Sequence, residues 1–223
     1  MPELPLPDLD GTSLVLVGAF NPRIFQPAWF VRNELLPEGV ESTANVEIIN
    51  NDLCAFETDW FRLEVLSDRL VLRSLATPAM ESLRDLLFGT FRVLRHTPVH
   101  RVGLNTHAHY RLPSEETWHQ FGHRLAPKEE LWSPVLNSPG TLTLVIQGTR
   151  PDDYDGHVRV KVEPSAQVTY GIFIETNDEY RRLDADSATW VEDVLTKQWD
   201  ASRSRAEQIR SHIVASAFSG EES

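Results

Sequence analysis

The stretch HRVGLNTHAHYRL (100–112) leads directly into SEETWHQFGHRLAP (114–127), and this pair of segments decides the fold. Apolar and polar residues alternate in the first segment, which predicts a β-strand, whereas the second has the apolar spacing of a short helix. The same order occurs near the N-terminus, where the strand-like SLVLVGAFNP (13–22) precedes the helical stretch QPAWFVRNELLP (26–37). A tryptophan lies near the start of each short helix and a proline at its end, so the chain reads as two related halves.

The remaining elements also recur in the same order. Each half continues with strand-like runs: ANVEIIN, LCAFET, WFRLEVLS and RLVLRSLA in the first, and TLTLVIQG, GHVRVKVEP and VTYGIFIET in the second. A long helix then closes each half, over 77–98 and over 186–218. Thr77 is the expected N-cap of the first long helix, and Pro78 suits its first helical position.

This order of elements predicts an α+β protein. Two β-α-β(3–4)-α repeats would form one antiparallel, pseudo-two-fold sheet with the long helices on one face. The repeats are assigned to 13–98 and 99–218, with a disordered or extended arm at 1–12 and a disordered tail at 219–223. The architecture resembles the TATA-box-binding-protein-like fold. GAFNPRIFQPAWF and HRVGLN are also similar to a sporadically distributed bacterial family with no assigned activity, so the resemblance implies a fold and no site residues.

Composition and missing motifs narrow the class of protein. The 223 residues include 21 Lys and Arg against 33 Asp and Glu, and the net charge of −12 opposes a nucleic-acid or anionic-membrane partner. The single cysteine, Cys54, is predicted to be a small buried residue and fits a reducing compartment. No targeting or membrane-spanning segment is visible, so we expect a cytoplasmic protein without membrane contact. We expect no cofactor, because glycine-rich phosphate loops and CxxC pairs are lacking, and the acidic GTRPDDYDGH (148–157) is predicted to be a solvated turn.

Successive side chains of a strand point to opposite faces of the sheet, so the alternation of apolar and polar residues shows which face each residue occupies. The polar side chains are expected to share the face away from the long helices. This predicted open face is mildly basic on an otherwise acidic chain. Its candidate binding residues are Arg62, Arg101, Asn105, His107, His109, Arg111, Arg159 and Lys161. Such a face can be an ordinary solvated surface or a shallow platform for a partner or an acidic ligand.

Histidines are concentrated in NTHAHYRLPSEETWHQFGH (105–123). His107 and His109 share one face of the strand, and His119 and His123 share one side of the following helix. Both spacings suit a metal, but the glutamate of an H-E-x-x-H motif is missing, and helix geometry turns His119 and His123 toward solvent. We therefore predict two solvated pairs and no metal site. The alternative is a metal- or histidine-dependent hydrolase centred on His107 and His109.

The C-terminal helix is predicted to be longer than the sheet that it covers. Residues 187–218 would form a helix of about 48 Å, against roughly 20 Å for a typical strand. Its last turns still carry an apolar stripe, formed by Ala206, Ile209, Ile213 and Ala217. We expect this stripe to pack on a second copy or a protein partner, or to fold back on its own chain after a break near DASRSR (200–205).

These observations favour a non-catalytic binding or scaffold module that acts through the open polar sheet face, the C-terminal helix, or both. The hydrolase centred on His107 and His109 is the enzymatic alternative. Nucleic-acid binding is a second alternative, which the resemblance in fold suggests and the negative charge opposes.

Overall fold

The computed structural model describes residues 5–75 and 79–218, which form one antiparallel sheet of nine strands with helices packed on one face. This architecture confirms the predicted α+β class. The strands are β1 Leu9–Gly18, β2 Asn45–Ile49, β3 Leu53–Glu57, β4 Phe61–Leu66, β5 Arg69–Ser74, β6 Val99–Arg111, β7 Leu144–Thr149, β8 Gly156–Pro164 and β9 Gly171–Arg181. The helices are α1 Pro27–Arg32, α2 Val40–Thr43, α3 Met80–Val93, α4 Glu115–Leu125, α5 Thr189–Lys197 and α6 Trp199–Phe218, with a 3-10 turn at Pro22–Ile24. The predicted tail at 219–223 and the predicted helix cap at Thr77 and Pro78 lie outside the described residues.

The strand order of the sheet is β2-β3-β4-β5-β1-β6-β9-β8-β7, so the two halves follow the same order outward from the centre except for the additional edge strand β2 in the first half. The first strands of the two halves, β1 and β6, pair antiparallel at the centre, from Leu9 opposite His109 to Val17 opposite Arg101. The last strand of each half, β5 or β9, then pairs with the outer side of that half's first strand. β1 begins at Leu9, ahead of the predicted start of the first repeat at residue 13.

Two local features of the sequence, the alternation in β4 and the serine before α4, have the structural effect expected of them. In β4, Phe61, Leu63 and Val65 are buried while the residues between them are half-buried, as expected for a strand with one covered face. The Ser114 hydroxyl caps α4 by accepting a hydrogen bond from the backbone N–H of Thr117 at 3.1 Å. These signals fix the positions of strands and helices but not their partners.

Two apolar clusters hold the helices on the sheet. The larger one contains Phe30 of α1, Phe91 of α3 and Val194 of α5, together with the apolar residues of β1 and of β3 to β5. The smaller one joins Phe121 of α4 and Val214 of α6 to apolar residues of β6, β8 and β9. The apolar side of the sheet is therefore covered along both halves.

Cys54 lies in the larger cluster, as predicted. Its side chain is buried, and its thiol donates a hydrogen bond to the carbonyl oxygen of Phe25 at 3.0 Å. Burial raises the pKa of this thiol to about 11, so the thiolate is scarce at neutral pH. Cys54 therefore serves as a packing residue.

The C-terminal helix differs from its prediction. A single helix over 186–218 is wrong, because the chain bends at Gln198 between α5 and α6. α6 then crosses the second half of the sheet and packs against β6, β9 and α4, with Val214 and Ala217 buried in the smaller cluster. The fold-back alternative thus describes the structure, with the interruption just before DASRSR (200–205), and the predicted stripe lies against its own chain, with Ala206 and Ala217 buried and Ile209 and Ile213 half-buried. Neither α6 nor any other helix within 5–75 and 79–218 is long and apolar enough to cross a membrane.

A cluster of four charged side chains, of which Arg150 and Asp178 are buried and Asp152 and Arg205 half-buried, joins α6 to the sheet. Arg150, which follows β7, donates hydrogen bonds to Asp178 of β9 and to Asp152, at 2.6 Å between Nη2 and Oδ2 for the latter. Arg205 of α6 donates to the same two carboxylates, at 3.1 Å for Asp152. The Arg150 guanidinium carbon also lies 3.6 Å from the ring centroid of Tyr180. Two cations and two anions balance each other, in a place where the side chains of Arg150 and Asp178 are each 1% exposed.

The prediction of a solvated acidic turn at 148–157 is wrong for Asp152, which belongs to this ion cluster. Asp152 is drawn inward by Arg150 and Arg205, whereas Asp153 and Asp155 are exposed. Burial opposes ionisation of Asp152, but the hydrogen bond and charge of Arg150 outweigh it and hold the pKa of this carboxyl below its usual value. The hairpin between β7 and β8 is therefore part of the support for α6.

Candidate functional site

The predicted binding residues all belong to strand positions on the open face, opposite the helices. The strand register aligns one row of side chains across the sheet, in which Arg62, Arg73, Ser13, Asn105, Asn177 and Arg159 lie side by side. His107 and Lys161 flank Glu175 in the next row, and Arg101 and Arg111 lie toward the two ends of β6. No helix among residues 5–75 and 79–218 belongs to the packing on this side.

Most predicted cations of the open face are already paired with acidic neighbours. Arg62 binds Glu47 at 2.8 Å and Glu57 at 2.7 Å, and Lys161 binds Glu163 at 3.2 Å. Arg159 and Arg111 have their own partners, which are Glu179 at 3.4 Å and Asp8 at 3.7 Å. Their charges are therefore largely neutralised within the protein.

The centre of the open face is an apolar patch with arginines at its corners, and the sequence prediction missed two of those arginines. β5, β1 and β6 present three aligned rows there: Arg73–Ser13–Asn105, Val71–Val15–Gly103 and Arg69–Val17–Arg101. We call these nine residues the central patch. Arg69 and Arg73 alternate with the buried Leu70 and Leu72 in RLVLRS, so period-two sorting of that run would have found them.

The arginines of the central patch differ from the paired cations around them. Within the part of the chain that the structure describes, Arg69, Arg73 and Arg101 have no carboxylate at salt-bridge distance, and all three are exposed. Neighbouring strands lie about 4.8 Å apart and residues rise about 3.3 Å along a strand. Arg69 and Arg101 are therefore roughly 10 Å apart at the backbone, and Arg73 lies roughly 13 Å from Arg69. Three guanidinium groups surround a shallow surface built from Val15, Val17 and Val71.

His107 and His109 lie beside the central patch, and the prediction that they are solvated is wrong. Their ring centroids are 6.3 Å apart, and Phe173 of β9 contacts both, with centroid distances of 5.6 Å to His107 and 4.8 Å to His109. His109 is 6% exposed and His107 is half-buried. Phe173 lies directly opposite His109 in the β6–β9 pairing, so the aromatic ring of one strand covers the imidazole of the other.

A contact with Ser165 gives His109 a structural role. The Nδ1 atom of His109 lies 2.8 Å from the Ser165 hydroxyl, which also accepts hydrogen bonds from the backbone N–H groups of Gln167 and Val168. Because those N–H groups occupy its lone pairs, the hydroxyl donates its proton to Nδ1. A serine held in this way closes the turn between β8 and β9 and is poorly placed to act as a nucleophile.

Both imidazoles of the open face favour the neutral form. Burial lowers the pKa of His109 below its usual value, against the opposing charges of Asp8 and Glu163. Burial also lowers the pKa of His107, and the nearby charges of His109, Arg73 and Lys161 add to the effect against Asp10. At neutral pH, the positive charge of this region therefore comes from arginine and lysine.

A surface depression of about 450 Å³ connects the histidines to the central patch. It is lined by Ser13, Arg73, His107, His109, Phe173 and Glu175, and the β8–β9 turn forms one wall. The depression has the size of a pocket for a side chain or a small group. It extends the central patch toward the β8–β9 turn.

The four clustered histidines of the sequence do not converge. His119 and His123 on α4 are exposed, at 56% and 48% of their side-chain surface, and lie near Glu115 and Glu129. This pair is solvated as predicted, on the side of the sheet opposite His107 and His109. Among the residues that the structure describes, no three His, Cys, Asp or Glu side chains gather into a group that could hold a metal ion.

Replacing His109 with alanine should lower the free energy of unfolding by about 1–3 kcal/mol, the usual cost of leaving a buried polar group without its partner. The change removes the ring that packs on Phe173 and the acceptor for the Ser165 hydroxyl. His119→Ala is the matched control, because it removes an exposed imidazole, and it should change stability by no more than about 0.5 kcal/mol. Urea denaturation of the two variants gives the comparison, and equal effects would show that His109 is not a structural residue.

The same measurement made at several pH values tests the neutral state of the two imidazoles. A histidine whose pKa is lowered by folding binds fewer protons than it does in the unfolded chain, where its pKa is about 6.5. Its stabilising contribution is complete above that value and is lost as the pH falls toward the folded pKa. The unfolding free energy should therefore decline between about pH 7 and pH 5, and His107→Gln/His109→Gln should flatten this decline.

Comparison of the sequence with protein-family models and with curated proteins identifies no relative. No protein-family model matches the chain, and a search of the curated proteins finds no match.

Proposed function

We propose that this protein is a non-catalytic binding module that recognises an acidic segment of a partner protein through its open sheet face. The observation that carries the proposal is the central patch, where the exposed Arg69, Arg73 and Arg101 surround half-buried valines and have no carboxylate partner within residues 5–75 and 79–218. On a chain of net charge −12, leaving these guanidinium groups unpaired on one uncovered surface suits an external anionic partner.

The layout of the central patch matches a protein interface better than a small-molecule pocket. Interfaces combine an apolar centre with a polar rim, and arginine is enriched among the residues that contribute most to binding. Here Val15, Val17 and Val71 supply the centre, and three arginines supply the rim. The adjoining depression beside Phe173 could take one apolar or aromatic side chain of the partner.

Charge pairing argues for a protein partner over a nucleic acid. Nucleic-acid binding relies on many cations that neutralise successive phosphates. On this face Arg62, Arg111, Arg159 and Lys161 are already occupied by acidic neighbours, which leaves Arg69, Arg73 and Arg101 without a carboxylate partner among the described residues. The resemblance to the TATA-box-binding-protein-like fold is therefore proposed for architecture alone.

Two related alternatives have less support. A histidine-dependent hydrolase would use His109 and Ser165, but the backbone N–H groups of Gln167 and Val168 occupy that hydroxyl. A partner site on the C-terminal helix would need the apolar stripe that α6 already packs against its own sheet. We propose the cytoplasm as the working compartment, because Cys54 is the only cysteine.

Charge reversal tests the proposal. Arg69→Glu/Arg101→Glu places two negative charges at the rim of the central patch and should weaken binding of the acidic partner roughly a hundredfold, at about 1–2 kcal/mol for each arginine. Arg23→Glu/Arg32→Glu is the matched control, because it makes the same change of charge at exposed arginines of the 3-10 turn and α1. Wild type, patch variant and control are used as baits, and the affinity of each retained protein is then measured in purified form over a range of salt.

An acidic protein bound by wild type and control, but lost by the patch variant, would support the proposal. Equal retention by all three baits would contradict it. Binding of duplex DNA by wild type that the patch variant loses would also contradict it, because the face would then recognise phosphate.

A further inference from the structure

The two outer edges of the sheet differ in how strongly they discourage pairing with a strand of another chain. Edge strand β2 contains Glu47, which pairs with Arg62, and its register with β3 shifts between Val46 and Ile48. Such charges and bulges discourage another strand from pairing with an edge. Edge strand β7 has an even register with β8, and no charged residue occurs anywhere from Thr141 to Thr149.

The strand order shows that the second half lacks one strand. Counting outward from the centre, the first half contains β1, β5, β4, β3 and β2, whereas the second contains β6, β9, β8 and β7. β7 therefore corresponds to β3, which β2 covers in the first half. Cys54, Ala55 and Phe56 of β3 are buried, but Val145 and Ile146 of β7 are 53% and 59% exposed.

Apolar exposure continues from β7 into the preceding loop. The large apolar side chains that remain exposed there are Leu131, Trp132, Val135, Leu136 and Leu142. A surface groove of about 440 Å³ lies between this loop and the start of β7, lined partly by Trp132, Leu136 and Leu142. A concentration of exposed apolar side chains in one segment usually marks an interaction surface.

We propose that β7 pairs antiparallel with β7 of a second copy of this chain to form a homodimer. An unpaired strand edge presents backbone N–H and C=O groups that only another strand can satisfy as a ladder. A neutral strand can face its own copy without opposing like charges, and a two-fold axis near Ile146 brings that apolar side chain close to its copy. Pairing β7 with β2 of another copy would instead place Glu47 at the junction and continue as an open chain of copies.

The dimer would extend the sheet and would keep both open faces on the same side. A two-fold axis between antiparallel strands runs perpendicular to the sheet, so both sets of helices share the opposite side. Two central patches would then lie on one continuous surface. This inference rests on the sheet edge and does not depend on the proposed ligand of the open face.

Analytical ultracentrifugation of the full chain tests the dimer. Wild type is expected to sediment at twice the chain mass of 25.4 kDa, and Ile146→Lys at the chain mass itself. Ile146 lies opposite Val160, so the added lysine has no like charge directly opposite it on β8. Ile48→Lys is the matched control at the other edge, where Ile48 is 37% exposed, and it should remain dimeric.

Circular dichroism and thermal unfolding confirm that each variant is folded before its mass is interpreted. If Ile146→Lys is unfolded, Ile146→Thr provides a milder change, and its dimer should dissociate at higher protein concentration than wild type. A wild-type monomer at the highest soluble concentration would overturn the proposal. A series of higher oligomers, or dissociation by Ile48→Lys and not by Ile146→Lys, would overturn it as well.

Discussion

A chain that ends at Ser204 is expected to lose on the order of 5 kcal/mol or more of unfolding free energy, comparable with the whole stability of many domains. The truncation removes Val214 and Ala217, which fill the smaller apolar cluster, and exposes the faces of β6 and β9 that α6 covers. It also removes Arg205 from the buried ion cluster. Urea denaturation followed by tryptophan fluorescence, with binding of a hydrophobic dye as a second measure, would record the loss.

A variant on the exposed side of α6 provides the control for the truncation. Gln208 is exposed, and Gln208→Ala should change the free energy of unfolding by no more than about 0.5 kcal/mol. A truncated chain that unfolds at the wild-type urea concentration would mean that α6 contributes little, in conflict with its packing.

Asp178→Ala should lower the free energy of unfolding by about 3–5 kcal/mol, because removing one partner leaves a buried ion uncompensated. Arg150 would lose the carboxylate that it binds from a fully buried position, and Arg205 would lose one of its two acceptors. Chemical denaturation gives the size of the effect.

Two further variants separate loss of charge balance from other effects of the Asp178 substitution. Asp153→Ala removes an exposed carboxylate from the adjacent hairpin and should have an effect within about 0.5 kcal/mol. Arg150→Met/Asp178→Ala removes the buried cation together with its partner and should recover part of the lost stability. If Asp178→Ala unfolds at the same denaturant concentration as Asp153→Ala, the buried ion cluster does not stabilise the fold.

The face that each predicted binding residue occupies could be derived from the sequence because the sheet is covered on one side alone. A single covered face forces alternation, and alternation in HRVGLNTHAHYR, FRLEVL and VRVKVE separates polar from apolar residues. The antiparallel class of the sheet and the order of its elements follow from the same pattern and from the repeated order of strand-like and helical stretches in the two halves.

Burial and pairing on the open face could not be derived, because they depend on strand register between distant segments. Phe173 covers His109 across β6 and β9, and Ser165 reaches the same ring from a turn 56 residues away. The ion cluster joins Arg150 to Asp178 and Arg205 in the same manner. Local spacing describes which side a residue lies on but not what its neighbour on the next strand will be.

The interruption of the C-terminal helix at Gln198 could not be predicted from the sequence for a different reason. No proline or glycine occurs between Thr189 and Phe218, so local propensity favours one continuous helix. The direction change is a tertiary effect, because α5 packs on α3 over the first half while α6 must cover the second. Packing of the second half therefore decides where the helix is interrupted.

The antiparallel pair at the centre of the sheet has a consequence for how the chain acquires its fold during synthesis. β1 leaves the ribosome well before its central partner, β6, which begins at Val99. Translation proceeds at about 5–20 residues per second, so the edge of β1 that will pair with β6 stays unpaired for several seconds. During this time β2 to β5 and α3 can already assemble. During that interval the nascent first half exposes a long strand edge, a structure prone to associate with other chains. Such a high contact order predicts slow folding, and it makes the arrival of β6 the event that ends this vulnerable period.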